Sequence, residues 1–420
     1  MRCSHSEQPC LGHRRTFTGD LKYHGTSSRG LWHVAEPILI VGAGIGGLAL
    51  ALGLQRRGIP VAVYERAPAL GEVGAGVMLT PNSNRVLENL GVLADVERGI
   101  TKPGRTQVRH FESGADLSTT DLGDAFTAIH GKPYYDVHRV DIHSALHRAV
   151  AANDPACIHV AHDWTDLSDD GSIVRARFAN GAFAAGRLLV GCDGVRSVVR
   201  AKIGVTDGAR YTGNLAWRGL VPVEALPPHQ RGPEITIWVG PGRHVVEYTI
   251  KSGTVKNYVA IAAVPDWHEE GWSVRAKVAE PLAAFAGWHT DVRAIIAATP
   301  PDSCLKWGLF DRDPLPTWSK GRVTLLGDAC HPMLPFMAQG AAMALEDSTV
   351  LARCLAQDEA IETALVRYEA ARLERTAWCQ LQSREAGKLF QRIASRSELD
   401  GDRAERARRL YGYDAATIAT

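Results

Sequence analysis

Glycines and carboxylates supply the first chemistry in this sequence. Gly42, Gly44 and Gly47, within the run Gly42-Ala43-Gly44-Ile45-Gly46-Gly47, fit the GxGxxG spacing. Side-chain-free positions of this kind permit a tight turn and bring a diphosphate onto backbone N–H groups at a helix N-terminus. Glu65 lies 23 positions after Gly42, where a carboxylate can accept from both hydroxyls of an adenosine ribose, and Arg66 follows it. NAD and FAD are not distinguished by this motif alone. Far downstream, Arg322 to Asp347 reads RVTLLGDACHPMLPFMAQGAAMALED. There Gly327 allows a turn and Asp328 can bond a ribityl hydroxyl. A helix after Met337, with Gly340 and Ala341 among its first small residues, would aim its positive end at a flavin pyrimidine. The two segments together predict a single FAD closed between them, and hence redox chemistry.

Two intervening motifs fit the same ligand. Arg139, in His138-Arg139-Val140-Asp141-Ile142, opens a helix and could reach phosphate or ribityl oxygens; the alternative is a solvated surface arginine. Asp193, in GCDGVRSVVR, sits at a strand tip before a helix carrying Ser197 and Arg200, and the alternative is an Asx turn bonding its own backbone. His331 reads as structural and Cys330 as a small buried filler.

The elements that must position these groups follow from residue patterning. Pro37–Val41, a helix over Leu48–Gly58 and a strand over Val61–Tyr64 make a β-α-β unit. Helices are predicted over Pro81–Leu93 and Val137–Ala151. From Ile158 to Asp193 the chain reads as antiparallel hairpins, with turns at Asp169-Asp170-Gly171 and Asn180-Gly181, before a buried strand at Leu188–Gly191. Strand-like runs from Asn214 to Val264 predict a mainly antiparallel sheet, and Asp347 to Leu389 reads as helical.

Composition bounds the partners. The 420 residues carry a formal net charge of +1 from interspersed acids and bases, which argues against nucleic acid or an anionic membrane as partner. No apolar run reaches the ~18 to 20 residues of a membrane span. Eight cysteines are scattered without metal-knuckle or disulfide spacing, as expected in a reducing cytoplasm. Residues 1–36 are expected to form an unstructured extension, and initiation at Val34 would place the residues before it outside the native protein.

Taken in this order, the four motifs resemble the signatures of the class A FAD-dependent aromatic hydroxylases, with the p-hydroxybenzoate hydroxylase fold, from about Pro37 to Arg375. WRGLVP (Trp217–Pro222), GPGRHVVEY (Gly240–Tyr248) and YGYD (Tyr411–Asp414) are similar to the 6-hydroxynicotinate 3-monooxygenases and, more loosely, to salicylate and 3-hydroxybenzoate hydroxylases. The resemblance implies an α/β fold: a glutathione-reductase-like FAD-binding Rossmann domain (37–105, 136–205, 290–385), an inserted, mostly antiparallel substrate domain (106–135, 206–289) and a C-terminal helical tail (386–420). It implies reduction of the flavin by NADH or NADPH, addition of O2 and attack of an electron-rich ring on a flavin C4a-hydroperoxide, in a cytoplasmic monomer or homodimer. His244 and Tyr248 match the family's substrate-domain histidine and tyrosine, expected to bind a substrate hydroxyl and move its proton. Their spacing of four puts them on one face of a strand. The alternative is a core tyrosine and a satisfied histidine. Pro335 matches the proline whose carbonyl lies at the reactive flavin edge. Arg218 is a candidate for a substrate carboxylate, or else a domain-interface residue.

Two departures bear on the substrate. Met78 and Phe336 stand where the hydroxynicotinate enzymes carry histidines, so a pyridine nitrogen or hydroxyl needing those partners would lose ~1 to 3 kcal/mol each. A more apolar phenol or a hydroxybenzoate is expected instead. The alternatives are the same fold acting on a lipid or purine, or a flavin-binding protein without turnover.

Overall fold

Unbroken apolar runs become a buried parallel sheet, because both faces of such a sheet are covered. The computed structural model describes residues 36–71, 75–205, 208–267, 274–357, 360–392, 398–399 and 403–420. Strands β1 (Ile38–Val41), β2 (Val61–Tyr64), β7 (Ile158–His159), β11 (Leu188–Gly191) and β18 (Val323–Leu325) pair in parallel in the order β18-β11-β1-β2-β7. Every residue of β1, β2, β11 and β18 is buried. Helix α1 (Ile45–Gln55) packs against α5 (Arg139–Asn153) and α9 (Gly340–Gln357), and α10 (Ile361–Phe390) packs on α9. The hairpins β8 (Trp164–Asp169), β9 (Val174–Phe178) and β10 (Phe183–Gly186) form a separate antiparallel sheet turning at the predicted positions.

The second layer is an eight-stranded sheet in the order β16-β17-β12-β15-β14-β13-β4-β5. Its members are β4 (Arg105–His110), β5 (Asp116–Asp121), β12 (Arg210–Pro222), β13 (Ile235–Gly240), β14 (Arg243–Ile250), β15 (Val255–Ala263), β16 (Val274–Arg275) and β17 (Leu305–Asp311). All pairings are antiparallel except β13 with β4. Alternation divides its side chains between two faces. Leu215, Trp217, Val245 and Tyr258 pack with Phe285 beside α7 (Ala279–Ala284) and with Val292, Ile295 and Ile296 of α8 (Thr290–Ala297). The opposite face carries Ala216, Arg218, His244, Val246, Tyr248 and Asn257. It meets Leu334 and Phe336 in one apolar cluster and Met78 in another. Met78 lies on β3 (Gly76–Leu79), which pairs antiparallel with β6 (Tyr135–His138).

Three expectations shift. The helix predicted over Val137–Ala151 starts at Arg139, because Val137 and His138 are drawn into the ladder with Val77 and Gly76. The one over Pro81–Leu93 divides into α2 (Pro81–Asn89) and α3 (Leu93–Val96) at Gly91, whose φ is +68°. Strand β17 lies in the stretch 290–385 expected for the cofactor domain, yet it completes the substrate sheet beside β12. Shorter helices α4 (Asp124–His130) and α6 (Val198–Lys202) and the tail helix α11 (Arg403–Tyr411) complete the fold. The extension expected over residues 1–36 falls outside the described residues apart from Glu36.

Candidate active site

The parallel sheet sets the cofactor groups in a row. Glu65 follows β2, the glycine loop follows β1, Asp193 follows β11 and Asp328 follows β18, so all stand at the carboxyl edge of adjacent strands, where such sheets bind ligands. Gly42 has φ +106°, and a Cβ there would lie 2.4 Å from the Cys192 carbonyl oxygen. At Gly47 a Cβ would lie 2.0 Å from the Gly42 oxygen, and at Gly46 2.7 Å from Leu326 Cδ2. Gly44 differs, since a Cβ there meets nothing within 4 Å. Three glycines thus serve chain packing, while the fourth keeps an open cradle before α1, whose N-terminus has no side-chain cap. Glu65 accepts from the N–H groups of Ala43 (3.0 Å) and Ala67 (2.9 Å), which fixes its carboxylate beside that cradle; Arg66 is exposed next to it.

Asp193 makes the local bonds that its alternative reading foresaw. Its Oδ2 accepts from Val198 N–H (2.7 Å) and Val199 N–H (3.1 Å), while its buried Oδ1 has no partner among the described residues. Arg200 donates to the carbonyls of Ala329 (2.8 Å) and Val195 (2.9 Å), tying this turn to the Gly327–Ala329 turn. The Asp328 side chain opens to the cleft although protein surrounds it. Desolvation pushes its carboxyl up, with His331 and Arg139 opposing. The group therefore keeps solvent contact until the cleft is filled. Asp328 Oδ1 stands 3.9 Å from where a Gly340 Cβ would sit, at the start of α9 beside Ala341. Between them the chain turns through Ala338, a non-glycine residue at φ +53°. Asp328, Leu334 and Pro335 line one pocket with Trp307 and Arg196, so the exposed Pro335 stands where cofactor edge and substrate sheet meet.

A buried ionic network underlies this loop, and sequence reasoning missed it. Asp347 accepts from Gly327 N–H (3.1 Å) and Arg372 Nε (2.7 Å), and its Oδ2 lies 2.5 Å from His331 Nε2. Glu346 accepts from Arg372, Arg375 and Asn82 at 2.7 Å each. The Glu-Asp pair ending the Arg322–Asp347 segment was the available signal. His331 is structural, as expected, and Cys330 is buried, which pushes its thiol up.

On the substrate face, His244 and Tyr248 share one side of β14 but not one environment. His244 is wholly buried under Phe336 (centroids 5.2 Å apart) and Phe390 (5.7 Å), and neither ring nitrogen has a partner among the described residues. Burial pushes it down to about 3, so it is a neutral ring at working pH. The expected proton transfer by His244 finds no support in this arrangement, because the two phenylalanines separate it from the cleft. Phe336 itself also packs on Gly387 of α10. Tyr248 clusters with Met78, and burial raises its phenol, so it stays a hydrogen-bond donor. Arg218 is 9% exposed, stacks over Trp307 at 5.5 Å and has no carboxylate partner among the described residues. Burial lowers its pKa, with Tyr248 opposing and Arg139 reinforcing the effect, so it faces both.

A family model described as an FAD binding domain matches residues 36–381. The chain is 37% identical over 391 residues to a 3-amino-4-hydroxybenzoate 2-monooxygenase, PtnB3, of Streptomyces platensis, covering 91% of this chain and 97% of that protein. The chain belongs to the FAD-dependent aromatic hydroxylases. To the 6-hydroxynicotinate 3-monooxygenase of Bordetella bronchiseptica this hydroxylase is 37% identical, over 82% of its own length and 89% of the relative's. Among solved structures it resembles a salicylate hydroxylase substrate complex (TM-score 0.77, 26% identity, 91% and 96% covered). It also resembles Klebsiella pneumoniae HpxO complexed with FAD and uric acid (TM-score 0.75, 28% identity, 90% and 92% covered).

FAD is the cofactor of this hydroxylase, and reduced nicotinamide and O2 are its co-substrates. The chain's own geometry fits that cofactor: an open Gly44 cradle, uncapped α1 N–H groups, a fixed Glu65 and an accessible Asp328 at the start of α9. No described helix is long and apolar enough to cross a membrane.

Proposed function

We propose that this hydroxylase acts on a hydroxybenzoate-type ring, with an aminohydroxybenzoate among the first compounds to test. The observation that carries this reading is Arg218, a buried cation on the substrate face with no carboxylate partner among the described residues. Charge buried in this way is matched by a counter-charge. A ring carboxylate supplies one, and bidentate geometry favours it. Tyr248 lies two strands away on the same face, about 10 Å across the sheet, so one ring can lie between the two groups. Its phenol donates to the substrate's ring oxygen. Met78 and Phe336 line an apolar flank that gives a pyridine nitrogen no partner, and Pro335 stands where the ring meets the cofactor edge. Bound FAD, once reduced, supplies activated oxygen; the protein orients the ring and excludes water. Glu65, Arg66, Arg139, Asp193, Asp328, Gly340 and Ala341 are assigned to the cofactor.

NADH and NADPH consumption should be followed with 3-amino-4-hydroxybenzoate, 3-hydroxybenzoate, salicylate and 6-hydroxynicotinate, with mass spectrometry of the product. The expected result is a carboxylated phenol gaining one oxygen, with 6-hydroxynicotinate poor. Hydrogen peroxide as the sole product from every ring would overturn the reading.

A further inference from the structure

A carboxyl group without a partner is costly to bury, and this chain buries one beside the substrate face. Asp136 is fully buried, and neither Oδ1 nor Oδ2 has a hydrogen-bond partner among the described residues. Along β6 it alternates with Tyr135 and Val137, whose side chains belong to the core of the cofactor domain. Its carboxyl therefore points the other way, toward β14, on which β6 packs. Across the β3–β6 ladder Asp136 stands opposite Met78. Tyr248 reaches the same patch: its hydroxyl oxygen lies 2.7 Å from where a Gly76 Cβ would sit, two residues before Met78. Asn257, opposite Tyr248 on β15, accepts from Gly76 N–H (3.2 Å) and holds that strand against the sheet.

The groups facing the carboxyl are few. Tyr248 and Tyr134 both feel its charge, and Lys256 acts on it from β15. Tyr134 donates its hydroxyl proton to Met78 Sδ (3.3 Å), and Lys256 donates to the Gly232 carbonyl (2.9 Å) and makes no hydrogen bond to the carboxyl. Arg218 and Tyr411 act on the two tyrosines. Tyr248 remains the hydroxyl whose proton is not committed to another protein group.

We propose that Asp136 is the proton acceptor that works through Tyr248 when a phenolic substrate ionises. The inference rests on the reading of Tyr248 as partner of the substrate oxygen. The substrate O–H bond breaks as its proton forms a bond to the Tyr248 oxygen; Tyr248 and Asp136 are not in direct hydrogen-bond contact, so the former Tyr248 proton passes to a bridging water, which gives up one of its own to a carboxylate oxygen of Asp136. One proton is transferred at each step, no electrons are exchanged, and the substrate is left as a phenolate richer in ring electron density. Asp136 touches no substrate atom; it is a positioning residue that fixes where the proton rests. Burial raises its pKa, with Lys256 opposing, which makes its carboxylate a stronger base than that of an exposed aspartate.

The test compares the parent holoenzyme with Asp136→Asn, using the rings named above. Below its own pKa Asp136 already holds a proton, so the parent's kcat should fall as pH falls. In the variant that acid limb should vanish and neutral-pH kcat should drop about tenfold or more, with KM and FAD absorbance little changed. In a Tyr248→Phe background the same substitution should cost nothing further, because the relay is already cut. Tyr134→Phe should keep the limb. Infrared difference spectra of the substrate-free holoenzyme should show a protonated-carboxyl band that titrates above the usual carboxylate range and is missing in Asp136→Asn. A retained acid limb, additive losses in the double variant or an absent band would each overturn the proposal. If no phenol gains oxygen while the infrared band titrates, the functional reading fails instead.

Discussion

Arg218 and Tyr248 hold opposite ends of the proposed ring, and their losses should separate kinetically. Arg218→Gln removes a charge-assisted contact of ~1.5 to 3 kcal/mol, so KM for a hydroxybenzoate should rise about 10- to 150-fold with kcat little changed. The matching phenol without a carboxylate should show no such penalty, and an equal rise for both would assign Arg218 to the domain interface. Tyr248→Phe should lower kcat strongly while FAD occupancy, read from the visible spectrum, stays constant. His244 ionises only near pH 3, so His244→Phe should leave the pH profile unmoved across the neutral range. The sequence pattern correctly set His244 and Tyr248 on one strand face. It could not show that His244 is sealed, because the covering rings of Phe336 and Phe390 arrive from other segments. Asp136 was equally hidden: in Tyr-Asp-Val-His it reads as an ordinary strand residue until its neighbours are known.

At the level of elements, the glycine turn between β1 and α1 divides into positions that build the fold and one that admits the ligand. Gly47→Ala would drive a methyl into the Gly42 carbonyl, and the expected outcome is loss of soluble, folded protein. Gly44→Ala has room and should fold with a normal circular dichroism spectrum, yet bind FAD more weakly because the methyl occupies the diphosphate approach. If both variants fold and bind FAD alike, this division is wrong. The β-α-β unit, the hairpin turns and the substrate strands were legible because each has a local period or turn residue. The start of α5 and the membership of β17 were not, since both are decided by long-range pairing, with β3 and β12 respectively.

Across the whole molecule, pH should act on stability through two opposed sets of carboxyl groups. Arg375 and Arg372 hold Glu346 down, and His331 and Arg372 hold Asp347 down, against their burial. Folded values below the unfolded ones mean a stabilisation present above the unfolded pKa and lost as pH falls through the folded one. Asp136 is raised, so its stabilising share is present below its unfolded pKa and lost as pH rises toward the folded one. Asp136→Asn should therefore increase Tm by a few degrees at neutral pH, and the gain should shrink in acid. Arg372→Met, which takes one charge partner from each of two buried carboxylates, should cost ~3 to 5 kcal/mol by urea denaturation. The network reaches the C-terminal tail through Arg375, which donates to the carbonyls of Arg409 and Leu410; two arginines outside it do the same, Arg85 to the carbonyls of Tyr411 and Tyr413 and Arg353 to those of Ala415 and Ile418. Each of these contacts grips main chain, which every amino acid offers equally. The tail's route is thus held twice, by arginines outside it that take any main chain and by its own Leu410, Tyr411, Tyr413 and Ala415, so that drift is open only to the tail residues that neither bury nor stack.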